Sequence, residues 1–223
     1  MSINDEQARQ ARDYLKQAAD AISAGHTLIN RANDTPIVMD APPVIVPLSQ
    51  RDPQWSGETL GFSTHGQKIG DFGCTITCIA MWLNFVTVGG IYTPHSVNAD
   101  LKAKGGFAWD INRSDQNLVN WSALPAIYQQ LKFNGKVDCP NSPAPLNLVD
   151  DMLTKGLPVM VYVDALPLSG LQQHFVLLTK KRTTTYDIAN PWTGTMQTLT
   201  PQYGDTPAHA VCGIVQLAVV PNI

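Results

Sequence analysis

The chain has 223 residues, 44% of them hydrophobic and 15% charged, enough apolar content for one sizeable core and too much for wholesale disorder. Fifteen Lys and Arg stand against 18 Asp and Glu, so there is no basic excess to neutralise phosphates, and general nucleic-acid binding is disfavoured. No apolar run reaches the ~18 residues of a membrane span, and the polar N-terminus lacks the apolar core of a signal peptide. A soluble protein of cytoplasmic synthesis is expected.

Residues 4 to 30 hold a helical pattern without proline, with Ala8, Ala11, Leu15, Ala18, Ile22, Gly25 and Ile29 spaced as a heptad seam. The seam is mostly small residues, which suits close packing on another helix. A docking or oligomerising helix over 1–31 is therefore expected, binding a partner chain or itself. Residues 32–47 contain four prolines and read as a stiff linker. The main domain is expected over 48–223.

Within it, residues 74–87 are apolar almost all round, as a buried helix would be. Helical patterns follow at 95–104, 117–132 and 145–155, the last stopped by Gly156. The remainder is strand-like: 158–165, 174–181, 184–190, 196–199 and 211–220. Helices come first and strands afterwards, which predicts an α+β fold with the 74–87 helix packed on an antiparallel sheet.

Four cysteines are too few for a disulfide scaffold. No CxxC or HxxxH spacing supports a metal site, and no cofactor is expected. Cys74 follows Gly70-Asp71-Phe72-Gly73 and opens the apolar helix. A thiol there has its thiolate stabilised by unpaired amides and the helix dipole. Cys78, one turn inward, is expected to be an inert core thiol.

His174 begins a strand that turns near Arg182 and Thr183 into a second strand. If the two pair about that turn, positions summing to 364 oppose each other, placing Asn190 across from His174 and Asp187 across from Leu177. Cys74, His174 and Asn190 then form a nucleophile, a base and its orienter. Trp192, two residues on, is placed to shield the His–Asn contact. His209, three residues before Cys212, competes as base but has no helix start beside it.

The stretches VPLSQRDPQW, QKIGDFGCTITCIAMWLNF, LPVMVYVD, HFVLLTKK and YDIANPWTG together resemble the papain-like cysteine peptidases of the bacteriocin-processing, double-glycine type. More narrowly, the chain resembles the peptidase-like branch found in bacterial and phage proteins. The resemblance covers about residues 45–205 and implies a papain-like fold with Cys74 as nucleophile, His174 as base and Asn190 as third member. Many relatives carry Asp at the third place, whereas papain uses Asn with Trp two residues later, as here. A glutamine upstream of the cysteine is implied as oxyanion donor: Gln50 sits in the matching SQRDPQW stretch, with Gln67, seven residues before Cys74, as the alternative. Asp71 and Trp192 are expected near substrate.

The expected function is thus a thiol peptidase or amidase cleaving peptide, with bacterial cell-wall peptide as candidate substrate, in a phage or bacterial setting. The alternative is a structural or docking component of a virion or secretion assembly that keeps the fold. A transglutaminase or acetyltransferase is a minor third option. Asp52, Trp55, Trp109, Asp110 and Trp121 are candidates to line a cleft.

Overall fold

The computed structural model describes residues 44–87, 91–111, 114–140, 142–164 and 173–220. The expected docking helix and most of the Pro-rich segment lie outside these residues. Ile45 is 9% exposed and joins the core, so apolar packing begins three residues before the expected boundary at 48.

Among the described residues the first helices are α1 (Ile69–Phe72) and α2 (Cys74–Val86), separated by a single glycine. The Gly73 N–H donates to Ile69 O at 2.7 Å. A Cβ on Gly73 would stand 2.5 Å from that oxygen and 2.7 Å from Ile69 Cγ2, so only glycine permits so tight a junction. As its composition predicts, α2 is buried nearly all round, with Ile76, Ile79, Met81, Trp82 and Leu83 at 0–1% exposure. Each such side chain contributes about 1.5–3 kcal/mol by leaving water. The polar atoms they carry inward are satisfied: Trp82 Nε1 donates to Pro158 O at 3.2 Å, and Thr77 Oγ1 donates to Gly73 O at 2.8 Å.

Helix α3 (Pro94–Ala103) starts where expected. Thr93 Oγ1 accepts from the Ser96 amide at 3.1 Å and Ser96 Oγ accepts from the Thr93 amide at 2.9 Å, a reciprocal cap followed by proline in the first turn.

The expected helix at 117–132 is not there. In its place the chain forms a hairpin of β1 (Phe107–Asp110) and β2 (Asp115–Val119), a short 3-10 turn (Trp121–Ala123) and a single helical turn, α4 (Leu124–Ile127). The edge strand β3 (Leu131–Asp138) follows. Pro125 occupies the first turn of α4 and Tyr128 is already extended, which limits the helix to four residues. Along β3, Leu131, Phe133, Gly135 and Val137 turn inward while their neighbours face out. That is the period of a half-buried strand, and it overrides the helical spacing read across the whole window. Strands therefore interleave with helices instead of following them.

After α5 (Leu146–Thr154) come β4 (Val159–Asp164), β5 (Gln173–Lys181), β6 (Tyr186–Asn190), β7 (Thr195–Thr198), α6 (Pro207–Ala210) and β8 (Val211–Val219). The main sheet has the order β3-β8-β4-β5-β6-β7, and every neighbouring pair is antiparallel. Its central strands are apolar on both faces. Met160, Leu177, Ala189 and Val215 pack with the α2 side chains, while Val161, Val163, Val176, Leu178 and Ile188 pack with Val149 of α5. The fold is thus mixed: helices on an antiparallel sheet, with α2 against β5. Among the described residues no helix is long and apolar enough to cross a membrane.

Candidate active site

Cys74 is the first residue of α2, so its amide belongs to the turn whose N–H groups find no carbonyl within the helix. It is buried, at 7% exposure. Burial by itself pushes a thiol up. The hydrogen bond from His174 and the charge on its ring, then the Phe175 amide and Thr75 hydroxyl, outweigh burial and hold Cys74 below the ordinary thiol value. His174 moves the other way. Burial would lower it, but the hydrogen bond and charge of Cys74, with the bond to Asn190, raise it above the ordinary imidazole value. Each shift favours the charged form of its group, as contact between a thiol and an imidazole does.

His174 and Asn190 meet at 3.0 Å between Nε2 and Oδ1, though not through the expected pairing. Leu177 opposes Ala189 and Leu178 opposes Ile188, positions that sum to 366 instead of 364. Continued one step, Asn190 stands across from Val176, a diagonal neighbour of His174. A slip of two preserves the face of every side chain, which is why the two residues still meet. Beyond Leu178 the register shifts again, and Asp187 opposes Lys180, not Leu177. This is a β-bulge at Thr179, whose hydroxyl donates to Asp187 O at 3.3 Å. The Asp187 carboxylate is held by Arg182 at the turn, away from the imidazole.

The direction of the Asn190 amide is determined by its neighbours. The Trp192 backbone N–H can only donate, and it donates to Oδ1 at 3.0 Å. The Nδ2 group donates to Gln197 Oε1 and to Tyr203 Oη, both at 2.8 Å. Oδ1 is therefore the acceptor facing His174, and Nε2 of the ring carries a proton toward it. Nδ1 is the nitrogen left for Cys74.

Gln50 is 1% exposed and spans both halves of the site. Its backbone N–H donates to Pro191 O at 2.8 Å, next to Asn190, and its Nε2 donates to Gly70 O at 3.0 Å, one turn before Cys74. The second Nε2 hydrogen remains uncommitted by that bond, and Oε1 is buried without a partner. Gln67 points elsewhere, accepting from Asn117 Nδ2. Trp192 contributes its backbone to Asn190, while its indole is 43% exposed beneath Arg51, whose guanidinium carbon lies 4.5 Å from the ring. The ring lying beside His174 is instead Tyr203, with centroids 6.1 Å apart and 4% exposure. Asp71 is exposed on α1.

The remaining candidates stand apart. Cys78 is wholly buried, and burial, then the Cys74 charge, pushes its thiol well above the ordinary range. His209 bonds Asp205 at 3.1 Å and borders, with Cys139 and Cys212, a cavity of about 280 Å³. Trp55 donates to Ser49 O at 2.8 Å within the core, Trp121 stacks on Phe133, and Asp52 accepts from the Gln54 amide. Asp110 is buried and Trp109 is exposed on β1. Among the described residues no three His, Cys, Asp or Glu side chains converge as metal ligands.

Tyr203 and Gln197 escaped the sequence reading. Gln197 lies opposite Ile188 on β7, two positions from the residue facing Asn190, so alternation along that hairpin was a usable signal. Tyr203 sits in an irregular segment where no periodicity operates.

No family model matches the chain, and no curated protein matches it. Among solved structures it is similar to that of a Bacillus anthracis protein described as a C39-like peptidase. The identity is 13% and the TM-score 0.44, over 79% of this chain and 95% of the other.

Proposed function

We propose that the chain is a thiol hydrolase acting on peptide or amide bonds, with Cys74 as nucleophile, His174 as proton carrier and Asn190 as orienter. The observation that carries this reading is the continuous contact from Asn190 through His174 to a thiol at a helix start, with the thiol lowered and the imidazole raised. A core cysteine needs neither. The papain-like reading of the sequence agrees with this assignment.

In this mechanism the Cys74 thiolate attacks the carbonyl carbon, and the carbonyl π electrons move to oxygen. The oxyanion takes hydrogen bonds from the Cys74 backbone N–H and the second amide hydrogen of Gln50. His174 gives its Nδ1 proton to the leaving nitrogen as the C–N bond breaks, leaving a thioester on Cys74. Water then attacks the thioester and His174 takes its proton. Loss of the acid product restores thiolate and imidazolium.

Bacterial cell-wall peptide is the first substrate class to assay, followed by unstructured peptides. Native chain and Cys74→Ala are incubated with each, and cleavage is read by mass spectrometry. Products with the native chain, and none with a folded Cys74→Ala, are expected. Iodoacetamide supplies a test that needs no substrate: Cys74 should react faster at neutral pH than a free-cysteine peptide. Equal rates, or cleavage that survives Cys74→Ala, would overturn the assignment.

A further inference from the structure

Asn190 uses every hydrogen-bonding position of its amide: Oδ1 takes His174 Nε2–H and the Trp192 N–H, and Nδ2 serves Gln197 Oε1 and Tyr203 Oη. Four partners on a side chain 1% exposed leave it one orientation and no water to replace a lost contact. Of the two groups that receive Nδ2, Tyr203 is the more restrained. Its oxygen also accepts from Gln202 Nε2 at 3.2 Å, and with both lone pairs occupied it meets Asn190 as an acceptor. Its backbone N–H is tied to Leu199 O at 3.1 Å, and the next residue, Gly204, lies so close to α6 that a Cβ there would stand 3.0 Å from Ala210 Cα. The Tyr203 ring meanwhile lies beside the imidazole at 6.1 Å, tilted by 32°. That ring is itself 4% exposed, while Trp192 lies under Arg51 and is 43% exposed.

We propose that Tyr203 is a positioning residue for His174. Its hydroxyl anchors the Asn190 amide so that Oδ1 stays on Nε2–H, and its ring keeps water from that bond. Gln197 is the second anchor on the same Nδ2. The role rests on the thiol-hydrolase reading for its purpose, but not for its geometry.

Burial pushes the Tyr203 phenol up, to about 12, so it keeps its proton throughout the range in which His174 titrates. The titratable groups facing His174 are Cys74 from α2 and Tyr203 from the segment before α6. With Tyr203 neutral across that range, its hydroxyl acts on His174 through the Asn190 amide that bonds both.

The test is the titration of His174 followed by nitrogen NMR on histidine-labelled protein, which also reports the ring tautomer. It needs no substrate. Four chains are compared: native, Tyr203→Phe, Asn190→Ala and the double variant. Tyr203→Phe keeps the ring and removes one oxygen, and circular dichroism checks that each variant is folded. The His174 midpoint should fall by about half a pH unit in Tyr203→Phe, the equivalent of one ordinary hydrogen bond. In the Asn190→Ala background the same change should have no effect. A native-like midpoint and tautomer in Tyr203→Phe overturns the proposal, as does an equal fall in both backgrounds, which would mean general loosening. If Tyr203→Phe does not fold, Gln197→Ala is read in the same cycle, and a shift that persists without Asn190 overturns the shared anchoring. Absence of peptide cleavage by the native chain would strike the hydrolase reading alone and leave these titrations to decide the positioning role.

Discussion

Replacing Asn190 by Ala tests the proposed chemistry at one bond. Asn190 Oδ1 accepts from His174 Nε2 at 3.0 Å inside a site where neither residue is more than 6% exposed. The variant removes that acceptor and strands the Trp192 N–H that shared it. A hydrogen bond to a charged partner is worth about 1.5–3 kcal/mol, so the thiolate–imidazolium pair becomes roughly 10- to 100-fold less favoured against thiol and neutral imidazole. Water entering the space left by the amide brings the effect toward the lower figure. The pH window follows from the two shifts. Cys74 is thiolate above its lowered pKa and His174 is imidazolium below its raised one, so both shifts widen the range in which the charged pair is favoured. Iodoacetamide alkylation of the native chain should therefore rise on the acid side and hold a plateau through neutral pH. In Asn190→Ala the plateau falls, by at most the roughly 10- to 100-fold by which the pair is disfavoured. The rate in strong base, where hydroxide alone makes the thiolate, stays the same. A folded Asn190→Ala that keeps the native plateau would refute the reasoning.

The two glutamines should separate cleanly. Gln50→Ala removes a proposed oxyanion donor and is expected to lower kcat by about 10²–10³-fold, whereas Gln67→Ala breaks the buried bond to Asn117 and lowers the melting temperature with kcat kept. Gly73→Ala places a Cβ 2.5 Å from Ile69 O. Overpacking of about 1–3 kcal/mol should appear as a lower Tm, and displacement of the α2 start as a slower alkylation of Cys74. Asp187→Ala should leave both turnover and the alkylation plateau at the native level, because that carboxylate is held by Arg182 and lies an odd number of positions from Asn190 along β6; a loss comparable to Asn190→Ala would show that Asp187 reaches the imidazole.

What the sequence determined by itself was local. The apolar run 74–87 has no face that tolerates water, so it must be a buried helix, and Cys74 must stand at its start. The runs at 158–165 and 174–181 are rich in Val and Leu, and a sheet buried on both faces follows from that composition. His174 and Asn190 share a face because strand alternation survives any even slip in pairing. The tertiary structure decided the rest. The bulge at Thr179 changes the register by a residue that no turn-based arithmetic contains, and with it the partner of Asp187. The alternation in 131–138 became a strand because β8 offers it an edge, from a segment some 80 residues later; propensity in the window 117–132 could not include that partner. Gln50 and Gln67 are both upstream glutamines, and only the fold sets one between Gly70 and Pro191 and the other against Asn117. Tyr203 comes from an irregular segment 13 residues beyond Asn190. Its place in the site depends on long-range packing, because irregular backbone carries no period from which a side chain's direction can be read.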